Sequence, residues 1–293
     1  MNRFHKKAKR NDKIATGIIY TVAAFFILLL FVLTFYIIYQ GAIVVTPDLL
    51  GFSGDGIGKQ LFNTIYLVFI SLVISVPVGI FAGIYMSEYT KVGKLTNTIR
   101  LCIETLSSLP SIVVGLFGFL VFLQLTQSQP SVIAGACAIS ILSIPLITRV
   151  TEEAIRSLPE SFREGSYSLG ATKWQTIVSV LLPSATPRII TGIILAAGRG
   201  FGEAAALIFT AGMNSDVNFS NWDITSITSP LNIFRTCDTL AVHIWSLKTM
   251  GLGEFSVSLA NLSAAVLVIM VLVFNIGSRL VGKLIEQKMQ GHK

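Results

Sequence analysis

From Ile14 to Tyr39 the chain runs for about 26 predominantly apolar residues without a charged side chain, which decides the solvent this fold is built for. An α-helix of that length is ~39 Å long, more than the ~30 Å hydrocarbon core of a bilayer requires. A basic stretch precedes it (Arg3, Lys6, Lys7, Lys9, Arg10, Lys13), as in a secretory signal. The apolar core of a signal is about 7–15 residues, so the segment reads as an uncleaved span. Five more stretches suit hydrocarbon: Phe62 to Met86, Ser111 to Leu125, Ser131 to Ile147, Ile189 to Ala211 and Leu259 to Leu280. A soluble chain is usually about a quarter charged. This one is 13% charged and 53% hydrophobic, with a mean hydropathy of +0.73.

The expected fold is therefore all-α and polytopic, with six transmembrane helices in a domain over residues 14–280 and short tails at 1–13 and 281–293. The third and fourth spans share the polar hinge Thr126-Gln127-Ser128-Gln129-Pro130 and read as a tight helical hairpin. The third is expected to start earlier, near Ile103, and to break at Pro110. Pro77 and Pro145 fall inside or at the end of spans, where neighbouring helices can satisfy the carbonyls they free.

Lys and Arg fix the orientation. One side of the membrane receives eighteen: those of the N-terminal tail, Lys91, Lys94, Arg100, Arg149, Arg156, Arg163, Lys173, Arg188, Arg279, Lys283, Lys288 and Lys293. The other side receives only Lys59, Arg235 and Lys248. Both termini are thus expected in the cytoplasm. The net charge of +7 does not imply nucleic acid, because the bases lie in short stretches between apolar runs rather than on one polar surface. Cys102, Cys137 and Cys237 have no metal-ligand spacing and imply no disulfide framework. The absence of a Gly-rich loop followed by Lys and Ser or Thr excludes a P-loop ATPase. An intramembrane enzyme such as a protease or acyltransferase needs a His within a span and within reach of a Ser nucleophile, whereas His5 and His292 are in the tails and His243 is in an outer loop.

Two connections are long enough for structure of their own. In the extracytoplasmic loop 212–258, Thr239 to Leu247 reads as an interfacial helix or a docking surface, with Trp222 and Trp245 as interface anchors. In the cytoplasmic loop 148–188, Ser157 and Glu160 have capping-box spacing, and Ile155, Leu158, Phe162 and Leu169 make a rough apolar stripe that Gly170 ends. Thr172 and Gln175 form a second capping box, after which Trp174, Ile177, Val178 and Leu181 make a cleaner stripe that Pro183 is expected to stop. The physics leaves two readings open: a helical pair held by a partner, or a lid on the chain's own bundle.

Within this loop Glu164-Gly165-Ser166, Gly170, Val180, Leu182 and Pro183 resemble the EAA motif of bacterial ABC importer permeases in residue type and spacing. Gly165 and Ser166 stand where the motif has alanines, and Val180 where it has isoleucine. The resemblance implies the type I permease fold in a bacterial inner membrane, with these seven residues coupling to a cytoplasmic ATPase. The segments Gly198 to Thr210 and Phe234 to Trp245 are similar to those of phosphate-importer permeases of the PstA type. That likeness implies a second permease subunit, two ATPase subunits that use ATP with Mg, an extracytoplasmic phosphate-binding protein and phosphate as cargo. The chain itself would have no catalytic residue, metal or cofactor. Arg199 and Glu203, spaced one helical turn apart, are the candidates for the translocation pathway, facing a bundle interior or a watery route. A permease for another oxyanion or a small polar solute is the alternative.

The charge count predicts that an impermeant thiol reagent applied to intact cells labels Trp222→Cys and not Lys173→Cys, each placed in a chain freed of its native cysteines. Labelling at position 173 would reverse the orientation.

Overall fold

The computed structural model describes residues 2–52, 56–91, 93–251 and 253–289, with backbone alone for 2–8 and 285–289. Its regular structure among the described residues is all helical, with α-helices in the order α1 (Asn2–Val44), α2 (Gly58–Ile84), α3 (Lys94–Ser108), α4 (Ser111–Gly118), α5 (Val132–Arg156), α6 (Ser161–Ser168), α7 (Lys173–Thr176), α8 (Leu182–Phe201), α9 (Ala205–Thr210), α10 (Leu240–Thr249) and α11 (Glu254–Met289), and a long irregular loop before α10. Three π turns extend these helices: Tyr85–Tyr89 after α2, Phe119–Gln124 after α4, and Ile177–Leu181 between α7 and α8. Among the described residues, five helices are long and apolar enough to cross a membrane, and the bent pair α3–α4 makes a sixth span if taken as one.

α5 is the central element. It lies along α2, where a Cβ on Gly79 would stand 2.7 Å from the Ile147 side chain and one on Gly83 would stand 2.5 Å from that of Thr151. Against lipid no hydrophobic effect drives helices together, so close backbone approach through small residues supplies the contact. On its other faces α5 carries α3, α4, α8 and α9. α1 packs chiefly on α11, through Gly41 and Ala265, and leaves most of its apolar surface outward.

Several boundaries differ from the sequence reading. The third span breaks at Pro110 as expected, and sharply: α3, which carries Ile103, turns 96° away from α4. Proline pushes the residue before it out of the helical region, and Leu109 is extended at φ −62, ψ 136. The hairpin hinge is as expected, with Gln127 in the left-handed region and Ser131 accepting a hydrogen bond from the Ala134 N–H to cap α5.

The Ser157–Glu160 capping box does not form. α5 runs on to Arg156 because Ala154 and Ile155 are buried, which makes Ser157 its C-terminal cap. The Ser157 hydroxyl donates to the Ala154 carbonyl, and α6 begins only at Ser161. Nor does Pro183 stop the second loop helix. The π turn Ile177–Leu181 rearranges the turn where proline would clash, and one apolar helix continues from Lys173 to Phe201.

At the opposite end of the bundle α10 exists as expected, capped by Thr239. Its first turn, Leu240 to Val242, is buried rather than interfacial. Cys237, in the loop before α10, is fully buried as well, and burial pushes its thiol pKa up to about 12.

Polar bonds fix the loop end. Glu88, in the π turn after α2, accepts from Arg163 of α6 at 2.7 Å, with both side chains nearly buried at 6% and 12% exposed. This bond strengthens the charged form of the guanidinium. The Met86 carbonyl accepts from Arg156 at 2.9 Å, the Glu88 carbonyl from Lys173, and the Lys173 ammonium lies 4.8 Å from the Tyr89 ring centre. On α3, Arg100 reaches Glu152 of α5 at 2.6 Å, and Arg156 shares that carboxylate.

Removing one partner from a nearly buried pair costs about 3 kcal/mol or more, because the other charge is left uncompensated. Glu88→Ala is therefore expected to open residues 157–172 to limited proteolysis, and to do so more than a Glu88→Ala, Arg163→Ala double variant. Equal protection of Glu88→Ala and the parent chain would show the pair to be idle.

Candidate functional site

The loop between α5 and α8 is a compact, outward-facing hairpin. α6 ends in a Schellman motif: the Gly170 N–H donates to the Tyr167 carbonyl at 2.9 Å and the Ala171 N–H to the Ser166 carbonyl at 3.2 Å. Gly170 has φ +81, a left-handed conformation that costs ~1 kcal/mol or more with a Cβ. The Thr172–Gln175 capping box is complete, with the Thr172 hydroxyl accepting from the Gln175 N–H and the Gln175 side chain accepting from the Thr172 N–H.

The residues of the EAA-like motif divide between inside and outside. The Ser166 hydroxyl bonds that of Thr176 at 2.9 Å, tying α6 to α7. Glu164, Gly165 and Gly170 are exposed, and a Cβ on either glycine would meet open space. Val180, Leu182 and Pro183 are half-buried where the loop joins the bundle, beside a core of Ile84, Ile155, Ile177 and Leu181. The apolar side chains Phe162, Tyr167, Leu169, Trp174 and Val178 face outward, Leu169 at 90% exposure. The loop is thus anchored to the bundle by one face and presents apolar side chains on the other.

In the fifth span the helix ends at Phe201 and resumes at Ala205. Arg199 and Glu203 are therefore not on one continuous helical face. Glu203 accepts the Ala206 N–H at 3.2 Å, capping α9. Arg199 is exposed, and its side chain has no hydrogen bond or ion pair among the described residues. Gly200 brings α8 against α2, where an added Cβ would lie 3.3 Å from Val68.

A buried polar knot at the other end went unseen in the sequence. Arg235, 2% exposed, donates to the Asn63 side chain at 2.7 Å, to the Pro230 carbonyl at 3.0 Å and to the Thr236 carbonyl at 3.0 Å. No carboxylate pairs with it among the described residues, and burial pulls its pKa down. Nearby, Asp238 bonds His243 at 3.0 Å and accepts from Gln60 at 3.3 Å. Burial raises the Asp238 pKa against those two bonds. The knot ties the start of α2 to the loop before α10. The one signal for it was the loop's single Arg three residues before an Asp, in an otherwise weakly charged loop.

Residues 75–291 match the model of the family described as "Binding-protein-dependent transport system inner membrane component". The chain is 48% identical over 288 residues to the probable ABC transporter permease protein YqgI of Bacillus subtilis, covering 96% of this chain and 98% of that one. It is 33% identical over 224 residues to the phosphate transport system permease protein PstA of Xylella fastidiosa, covering 76% and 74%. Among solved structures, an alginate-importing bacterial ABC transporter matches with a TM-score of 0.68 at 18% identity, over 98% of this chain and 100% of that one. The methionine transporter MetNI matches with a TM-score of 0.59 at 19% identity, over 78% and 94%. A multi-pass helical bundle that contains no ATPase and bears this loop is a non-enzymatic transport subunit working with a permease partner, an ATPase and a substrate-binding protein: the chain belongs to the inner-membrane permease subunits of binding-protein-dependent ABC importers.

Proposed function

We propose that this permease carries inorganic phosphate, with residues 161–183 coupling to a cytoplasmic ATPase and Arg199 on the translocation route. The observation that carries the reading is Arg199: a guanidinium within an apolar span, exposed and unpaired among the described residues, beside a break in the helix. A charge near the bilayer centre costs about 2.5–3.5 kcal/mol on insertion scales, so it is retained where it faces water or a ligand. Guanidinium offers a phosphate oxyanion two parallel N–H donors, which an ammonium cannot. Glu203 is engaged at the α9 cap, which leaves the cation free for an anion. The PstA relatives, which match between 56% and 76% of the chain, favour phosphate over another oxyanion or a small polar solute.

In this reading Phe162, Leu169 and Trp174 sit in the ATPase, Glu164 and Gly165 lie at its rim, and Gly170 sets the turn. ATP and its Mg ion belong to that subunit. The binding protein and the second phosphate permease subunit complete the complex, and both termini lie in the cytoplasm.

In reconstituted complexes, Arg199→Gln is expected to abolish phosphate uptake without preventing assembly, and Arg199→Lys to restore it only in part. An Arg199→Glu, Glu203→Arg swap should stay inactive, since the two do not pair; full uptake by the swap would remove Arg199 from the route. Gly170→Asp, strained at φ +81, should uncouple ATP hydrolysis from uptake or weaken ATPase association, while the binding protein's phosphate affinity is unchanged. Normal uptake with that variant would remove the coupling role.

A further inference from the structure

Arg235 holds two helices at once. Its side chain takes α2 through the Asn63 side chain at 2.7 Å, and its carbonyl takes α5 by accepting from the N–H of Val132, the first residue of that helix, at 2.9 Å. The Ile233 carbonyl accepts from the next N–H of α5, that of Ile133, at 2.9 Å. Asn63 in turn donates to the Ser215 hydroxyl at 2.9 Å and to the Asp238 carbonyl at 3.0 Å. Between Ile233 and Arg235, Phe234 stands 70% exposed.

The same two helices reach the α6–α7 loop. α5 runs directly into it, and the continuation of α2 holds it through Glu88 and Arg163. Asn63 and Glu88 lie on one helical segment, Gly58–Tyr89, separated by twenty-five residues or about 37 Å of rise. α2 is seamed to α5 on both sides of Pro77: the Ser140 hydroxyl donates to the Ser71 carbonyl at 3.0 Å on one side, and Gly79 and Gly83 meet Ile147 and Thr151 on the other. For stability alone a buried cation is a poor choice, since apolar side chains of similar volume fill such a site at no greater cost. Asp238, three residues away, bonds His243 and Gln60 instead of neutralising it.

We propose that Arg235 is a positioning residue for transport: the substrate-binding protein, docking on the face that Phe234 presents, displaces Arg235, which carries α2 and α5 with it and so reaches the α6–α7 loop. The inference rests on the reading that this loop couples to the ATPase. The binding protein meets the end of the bundle away from the ATPase, and that end contains Arg235. A buried guanidinium spread over several acceptors moves together with them, because leaving a charged donor unpaired there is costly.

The test reconstitutes the complex in nanodiscs with its permease partner and ATPase, and measures ATP hydrolysis with and without saturating binding protein and inorganic phosphate. Arg235→Lys keeps the charge but cannot hold Asn63, Pro230 and Thr236 together. It is expected to cut stimulation by the loaded binding protein about fivefold or more, with basal hydrolysis at the parent rate. An Arg235→Met, Asn63→Leu double variant should do the same, and it leaves no buried charge unpaired, so the result does not hang on one substitution folding. Stimulation within about twofold of the parent in both variants would overturn the proposal. So would basal hydrolysis and assembly falling in step with stimulation, which is what a purely structural role gives. Gly170→Asp separates the two readings. If it uncouples the complex while both Arg235 variants respond like the parent, this inference alone falls. If it couples normally while the Arg235 variants do not respond, the loop reading falls and Arg235 stands as the point of entry.

Discussion

The close approach of α2 and α5 is the constraint on which the remaining architecture rests. Gly79 and Gly83 let the α5 backbone settle against α2, at distances where a methyl group at either position would collide with Ile147 or Thr151. With that seam fixed, α5 is free on its other sides to receive α8, where Gly192 meets Val150, and to receive α3, α4 and α9. It also sets where α2 ends relative to α6, because Glu88 reaches Arg163 only from that position. In a solvent where lipid tails compete equally for every apolar side chain, contacts of this kind supply much of what holds a bundle together.

The departures from regular helix lie where polar partners or prolines make use of them. At the end of α2 a π turn leaves carbonyls at Met86 and Glu88 that Arg156 and Lys173 take up. The π turn before α8 precedes Pro183, and the break at Gly202 to Ala204 is closed by the Glu203 side chain on the next helix. Non-helical backbone at membrane depth is tolerated only when it is satisfied by protein or water, and these cases meet that condition with particular side chains.

Length and hydropathy made the spans legible, since a run of twenty apolar residues has few other uses, and the hinge from Thr126 to Pro130 and the cap at Thr172 are local chemistry that tertiary contacts did not override. Ser157 shows the limit of such signals. Its spacing to Glu160 was correct for a cap, but burial of Ile155 carried α5 up to it and made it a C-terminal cap instead, and burial cannot be seen from four residues. Pro183 failed as a stop signal for a related reason: the π turn that absorbs it leaves no mark in residue type. Arg199 and Glu203 read as a pair because their spacing presumes an unbroken helix, and the glycine between them at 202 was the cue to a break. Long-range partners such as Glu88 with Arg163, or Asn63 with Arg235, are separated by too much chain for any local pattern to join them.

Because Pro183 does not end the loop helix, the segment from Lys173 to Phe201 is one continuous helical rod, with the π turn at Ile177–Leu181 and Pro187 as its points of bending. Its 29 residues are about 43 Å long, with one end in the exposed loop and the other at the break beside Arg199. A rod converts rotation into translation in proportion to its length: a tilt of roughly 10° about the loop end moves the far end by about 7 Å, on the order of a small ion's diameter. Were the segment to tilt as one body, a rotation at the surface would reach the break beside Arg199 through the helix itself. The interruption at Gly202 to Ala204 marks the point at which the neighbouring short helix is released from following it.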